Sequence, residues 1–383
     1  MKHIQKAALS AGLLLALCSG CGAQQSASDK GAEKNSVNQE IKTSVDKMED
    51  ILTKLNESVK KQDRKGIQQK GKELNSYWLS FENKIRGDYP FEYTDIEKHL
   101  QPIYTEAQKD KPDTEKIKSE SVSLTASLEE LTGAEKSSKK ASDQLKKAAD
   151  DYKTYVKKQS DQLVKSAEAF TDAVKAGDID KAKSLYPQAR VYYERIEPIA
   201  ENLGTLDPRI DARENDVEEG DKWTGFHKLE KALWKDNKIT GEKETAAVLL
   251  KDVKELDGSI ASLKLTPEQI VAGAMELLNE AGISKITGEE ERYSRIDLTD
   301  LAANVEGSKA VYETVKSALV KDHSDVTEKL DTEFSEFEVL MSKYKTGDHS
   351  YTSYDKLSKD QIREISTKLT ALSETMSKIA DVL

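Results

Sequence analysis

The chain has 383 residues, 34% of them charged, and a formal net charge of −11. An acidic balance of this size argues against a nucleic-acid partner and against peripheral adhesion to anionic lipid. Both cysteines, Cys18 and Cys21, lie in the first 21 residues, so the remainder can hold neither a disulfide nor a thiolate metal site.

Residues 1–21 read as a targeting signal rather than as structure. Lys2 and Lys6 supply a basic start, and Ala7 to Leu17 is an apolar run too short to span a bilayer stably. Ser19-Gly20-Cys21 places small residues directly before a cysteine and resembles a bacterial lipoprotein cleavage box, with Cys21 as the lipidated residue. Such boxes usually carry an aliphatic residue three positions before the cysteine. Here Cys18 stands there and Leu17 falls one residue early, so an ordinary secretory signal is the alternative. Residues 22–36, rich in Ser, Ala, Gln, Gly and Lys, read as a flexible tether.

Beyond the tether, helical periodicity runs nearly throughout, and no stretch alternates convincingly with period two. The expected class is all-α, with helical bundles of up-down type. The Gly/Ser/Lys-rich stretch Thr132 to Lys140 separates an N-terminal helical domain, 37–132, from a principal domain, 141–383. Val59 to Asp63 followed by Tyr77-Trp78 echoes Val174 to Asp178 followed by Tyr192-Tyr193, either as a duplication or as two ordinary helix-turn-helix units. Residues 204–221 have poor periodicity and read as a long irregular loop, a common place for function.

The most informative segment follows that loop. Trp223 to Trp234 reads as one helix, with His227 and Glu230 three apart on a shared face between two tryptophans. Bundles present metal ligands from one helix to the others in this way. Glu194 and Glu197 are likewise three apart beside Tyr193 and Ile196. They could join the site or pair with Arg190 or Arg195. Asp211 could close the site from the loop or serve as a turn residue. Ser294 and Asp297 resemble a capping box, and Glu289 to Glu291 would ordinarily be solvated, although with Tyr293 the segment's acidic groups could complete an oxygen-rich site. One imidazole with several carboxylates suits iron, manganese or zinc more than copper(I). No HExxH, GxSxG, P-loop or GxGxxG occurs.

Several segments together resemble one family. Phe226-His-Lys-Leu-Glu230 with Trp234, Tyr192 to Pro198, Leu206 to Asp211, and Ile286 to Asp297 are similar to the EfeO/EfeM group of imelysin-like proteins, over roughly 141–383. The resemblance implies an imelysin-like helical domain with a metal site of His227, Glu230, Glu194, Glu197, Asp211 and, among three adjacent glutamates, Glu290. It implies iron, ferric or ferrous, as the bound ion, with zinc or copper as ions such a site could take in vitro. It implies a lipid-anchored extracytoplasmic component working beside an EfeU-like ferrous permease and an EfeB-like haem peroxidase. Many relatives carry a cupredoxin-like N-terminal domain; residues 37–132 are helical by pattern and depart from it. The rival readings are a metallopeptidase using the HxxE motif and a structural helical surface protein.

Overall fold

A computed structural model describes residues 28–134, 142–200, 203–217, 220 and 222–380. The signal with Cys21, the first part of the tether and most of the 132–140 linker lie outside the described residues. The elements are α1 (Ser28–Lys60), α2 (Arg64–Leu79), α3 (Glu82–Asp88), α4 (Pro90–Gln108), α5 (Thr114–Gly133), α6 (Asp143–Ala176), α7 (Ile179–Glu194), α8 (Glu197–Ala200), α9 (Leu206–Asp211) and α10 (Phe226–Glu230). They continue as α11 (Lys243–Ile260), α12 (Pro267–Ile283), α13 (Asp297–Leu319), α14 (Ser324–Ser342), β1 (Lys345–Gly347), β2 (Ser350–Tyr351) and α15 (Lys359–Ala380). The all-α expectation holds, apart from the small β1–β2 hairpin. α1 begins inside the stretch read as a tether.

The helices follow from their apolar stripes. α6 buries Tyr152, Val156, Leu163, Phe170 and Val174, spaced by four and seven so that they share one face. Ser142 caps its start by accepting from the Leu145 N–H, and Gly177 ends it in the left-handed region at φ 80°. Asp63 and Asp178, at equivalent points of the internal echo, both cap the helix that follows them. α12 opens with a capping box between Thr266 and Gln269.

Residues Met1–Ser44 and Val45–Leu383 form two compact units. In the second, α6, α7, α11, α12, α13, α14 and α15 enclose one apolar core that runs from Leu145 to Ile379. α2, α3 and α5 pack around α4, where Trp78 is fully buried and stacks on Tyr93 at 5.7 Å. α4 then joins α12 through Tyr93 Oη donating to Glu276 at 2.9 Å and Thr94 Oγ1 donating to the Ala272 carbonyl at 3.4 Å.

Two close approaches set the stage for the site. A Cβ on Gly273 of α12 would lie 2.0 Å from the Pro198 carbonyl, and one on Gly307 of α13 would lie 2.5 Å from the Arg195 carbonyl. Only glycine lets both helices close on residues 195–198, and that closure carries Glu194 and Glu197 inward.

Candidate metal centre

The loop expected to be irregular contains α9, and its end is stitched to the segment before α10. Thr224 Oγ1 donates to the Arg209 carbonyl at 2.9 Å, and Trp223 Nε1 donates to the Ala212 carbonyl at 2.8 Å. Gly225, at φ 89°, passes so close to the Ile210 carbonyl that a Cβ would sit 2.2 Å from it. These contacts bring Asp211 beside His227. They also correct the expectation of one helix from Trp223 to Trp234. The helix begins at Phe226, Trp223 serves as a strap ahead of it, and the turn Lys231–Lys235 widens to a π-helix. Single π-turns of this kind often sit at functional sites. Phe226 anchors α10, fully buried against Phe170, Tyr186 and Tyr193 at ring distances of 6.2, 6.0 and 6.1 Å.

His227 is 2% exposed and Glu230 is 1% exposed. His227 Nδ1 lies 3.4 Å from Glu230 Oε2. Glu230 Oε1 accepts two backbone bonds, from Tyr293 N at 2.7 Å and Ser294 N at 2.8 Å. His227 Nε2 is buried and makes no hydrogen bond among the described residues. Asp211 Oδ1 lies 3.5 Å from it and Glu290 Oε1 3.8 Å. Asp211, His227 and Glu290 can each offer one ligand atom with all three within 4.8 Å; His227, Glu230 and Glu291 form a second such trio.

The 288–297 turn supplies the last carboxylates. Gly288 and Arg295 both take left-handed backbone, and Arg295 Nη1 donates to the Gly288 carbonyl at 2.7 Å. Glu290 and Glu291 are thereby buried, contrary to the solvated stretch expected, while Glu289 is exposed. Nor does Ser294 form a capping box with Asp297. Ser294 Oγ donates to Glu291 Oε2, and Asp297 Oδ1 accepts from the Glu291 N–H at 3.1 Å.

Glu194 and Glu197 sit behind this group, held by cations. Arg190 donates to Glu194 and to Asp211. Its Nη2 reaches Asp300 Oδ2 at 3.0 Å, and its Nε lies 3.1 Å from Glu291 Oε1. Lys285 Nζ binds Glu194 at 3.2 Å and Glu197 at 2.6 Å, and lies 3.5 Å from Glu290. Arg213 Nη1 donates to Glu290 Oε2 at 3.1 Å. The pairing of Glu194 with Arg190 foreseen from the sequence is present, and Lys285 takes both glutamates together. Sequence reasoning missed Arg190 as an organising group, and it missed Lys285 and Asp300, while Glu291 was left open among three adjacent glutamates. Arg190, four before Glu194, was the available signal; Lys285 sits at a helix end among glycines and carries none.

The charge balance is unequal. Seven carboxylates (Glu194, Glu197, Asp211, Glu230, Glu290, Glu291 and Asp300) face four groups able to be cationic: Arg190, Arg213, Lys285 and His227. Such a cluster holds protons. Burial raises Asp300 to about 8 despite Arg190. Burial, Glu230 and Asp300 push Glu291 well up. Glu194 and Glu197 act as a pair: burial opposes ionisation of both, Arg190 and Lys285 hold Glu194 down at about 2, and Glu197 is pushed well up by burial and by Glu194. Burial alone would lower His227, but Asp211, Glu230 and Glu290 outweigh it and hold the imidazole at about 10.

The imelysin family profile matches residues 148–379 of the chain. A Bacillus subtilis (strain 168) protein named "Iron uptake system component EfeM" is 79% identical over the whole of both chains. A Staphylococcus haemolyticus "Efem/EfeO family lipoprotein" is 44% identical over 62% of this chain and 84% of its own. Its Staphylococcus aureus (strain NCTC 8325) counterpart is 42% identical over 62% and 85%. Every residue of the cluster falls within the matched 148–379 span.

Asp300 makes the charge balance measurable. Its carboxyl ionises near 3.8 when unconstrained and near 8 in the fold, so between these values the folded chain binds the extra proton. The stability it contributes is full below about pH 4 and is lost as pH rises through 8. Asp300→Asn, which cannot ionise, should flatten the fall with pH of the metal-free protein's unfolding free energy, measured by urea titration, by at most about 1.4 kcal/mol per pH unit. An unchanged slope in the variant would contradict the proton count.

Proposed function

Since the chain belongs to the imelysin family, among its EfeM/EfeO lipoproteins, we propose that it is the membrane-anchored iron-binding component of an Efe-type uptake system. It captures iron outside the membrane and passes it to a permease. The observation that carries this reading is His227 Nε2, a buried ring nitrogen without a hydrogen bond, facing Asp211 and Glu290. Asp211, His227 and Glu290 bring their ligand atoms within 4.8 Å of one another, a donor set that a cation can share. One imidazole among several carboxylates suits hard ferric ion and keeps ferrous ion acceptable; zinc and copper(II) also accept such donors.

His227, Glu230, Asp211 and Glu290 surround the ion's place, with Glu291 beside them. Glu194 and Glu197, now paired with Arg190 and Lys285, are the further candidate ligands of the same cluster. These internal cations compete with the ion for the same oxygens. Arg190 holds Asp211, while Arg213 and Lys285 hold Glu290. Binding is therefore weaker than the carboxylate count alone would give, which suits a carrier that must let go. The receiving partners are an EfeU-like permease and an EfeB-like haem peroxidase, as the family resemblance implies.

A peptidase reading finds less support. A hydrolytic metal site needs an open position and a base poised near it. Glu230 is tied to two backbone N–H groups, Glu291 accepts from Tyr186 Oη and Ser294 Oγ, and Glu290 is held by Arg213. No described helix is long and apolar enough to cross a membrane; the anchor proposed is lipid on Cys21.

Two experiments test these statements. Calorimetry on the protein lacking residues 1–21 should show one equivalent of iron bound, and His227→Ala should lose at least about 100-fold in affinity with its helical circular dichroism intact; wild-type affinity in that variant would remove the reading. Cys21→Ala should move the folded protein from the membrane fraction to the medium, and continued membrane association would place the anchor elsewhere.

A further inference from the structure

The three permanent cations that hold the cluster's carboxylates differ in access. The side chains of Arg190 and Lys285 are 0% and 2% exposed, whereas that of Arg213 is 25% exposed. Arg213 lines a cleft of about 1150 Å³ bounded by α2, α3 and α4, by residues 204–217 and 222–224, and by the end of α12. We propose that the ion enters and leaves through this cleft, and that Arg213 is the gate between the cleft and the buried cluster. The proposal rests on the iron-binding reading and adds to it a route.

The cleft reaches the cluster without including it. Ala212, Arg213, Glu280 and Ser284 line the cleft, whereas Asp211, His227, Glu290 and Glu197 do not. Ala212 follows Asp211 in the chain, Ser284 precedes Lys285, and Glu280 lies in the field of both Lys285 and Arg213. Glu197, Asp211 and Glu290 are the cluster's more accessible carboxylates, while Glu194, Glu230, Glu291 and Asp300 are sealed. An ion arriving by the cleft therefore meets Arg213 first and the accessible carboxylates behind it.

Arg213 is also the cation with somewhere to go. Its Nη1 donates to Glu290 Oε2 at 3.1 Å, and its Nε donates to Asp216 Oδ2 at 2.7 Å. Asp216 is exposed and lines the cleft. The guanidinium can release Glu290, turn outward and remain paired, and Glu290 keeps Lys285 at 3.5 Å while the ion takes the vacated side. No buried charge is stranded by that exchange. Arg190 and Lys285 have no equivalent exit, because the carboxylates that pair with them all belong to the cluster. On α4, burial and Asp216 raise the Tyr104 hydroxyl above its usual range and Arg213 opposes them, so Tyr104 faces the same Arg213–Asp216 pair. The mouth is built jointly by α4 and the segment that carries Arg213.

Residues 22–383 contain no cysteine, so one introduced into the cleft can be labelled alone. In the protein lacking residues 1–21, Ser76→Cys places a bulky maleimide dye on the cleft wall formed by α2. Val122→Cys, 73% exposed and outside the cleft, carries the same dye as a control. Anaerobic stopped-flow mixing with a ferrous salt gives the association rate, and transfer to a ferrous chelator gives the dissociation rate. The dye at position 76 should slow both rates at least about 10-fold and leave Kd unchanged, as a blocked passage requires. Equal rates in the two labelled proteins would overturn the route. Arg213→Ala should raise the association rate at least about 10-fold, and an unchanged rate would overturn the gate. Both outcomes leave iron binding standing; only a failure of the unlabelled protein to bind iron would remove the iron-binding reading itself.

Discussion

Seven carboxylates share three permanent cations and one histidine inside this protein, and the architecture around them answers that imbalance. An isolated buried carboxylate is costly, and removing one member of a buried ion pair costs about 3–5 kcal/mol. The cluster persists because its charges are placed by several separate elements. α7 brings Arg190 and Glu194, the end of α9 brings Asp211, α10 brings His227 and Glu230, and the 288–297 turn brings Glu290 and Glu291. Gly273, Gly307 and Gly225 allow the backbones to approach closely enough for these groups to meet. What remains uncompensated is held as protons, on Asp300, Glu291, Glu197 and His227.

On the proposed reading, those held protons link fold to function, because an incoming cation can displace them. A dense carboxylate cluster without internal cations would bind a trivalent ion and keep it; a fully neutralised one would not attract it. Arg190, Lys285 and Arg213 set a level between these limits. The same groups offset repulsion among the buried carboxylates in the metal-free protein. Metal affinity and metal-free stability are therefore opposed consequences of one arrangement, since a change that frees Asp211 or Glu290 for an ion also strands a buried charge.

Much of this was legible in the sequence, and the exceptions have physical causes. The all-helical class followed from long runs of period 3.6, as in α6. His227 and Glu230 stood out because a histidine and a glutamate one turn apart beside aromatic residues are seldom solvated. Glu194, Glu197 and Asp211 stood out by spacing and position, with pairing or turn roles as alternatives, the family resemblance added Glu290, and the fold gathers all four into one cluster. The tryptophan stripe failed at Gly225, whose left-handed backbone starts the helix later than periodicity suggested. Glu290 and Glu291 looked exposed because three adjacent glutamates carry no sign of burial. Their burial depends on Gly288, Arg295 and Asp297 turning the chain inward, a tertiary effect. Lys285 was invisible because a lone lysine at a helix end is normally solvated, and only the fold places it between Glu194, Glu197 and Glu290.

The central claim is that a cation replaces protons at a shared carboxylate–imidazole centre. In the empty site His227 stays protonated up to about pH 10, and it must lose that proton to coordinate. Calorimetry of iron binding at pH 7, in two buffers of different ionisation enthalpy, measures the exchange directly. The account predicts apparent heats that differ between the buffers by an amount corresponding to at least about one proton released per ion. Identical heats in the two buffers, with binding measurable in both, would contradict it.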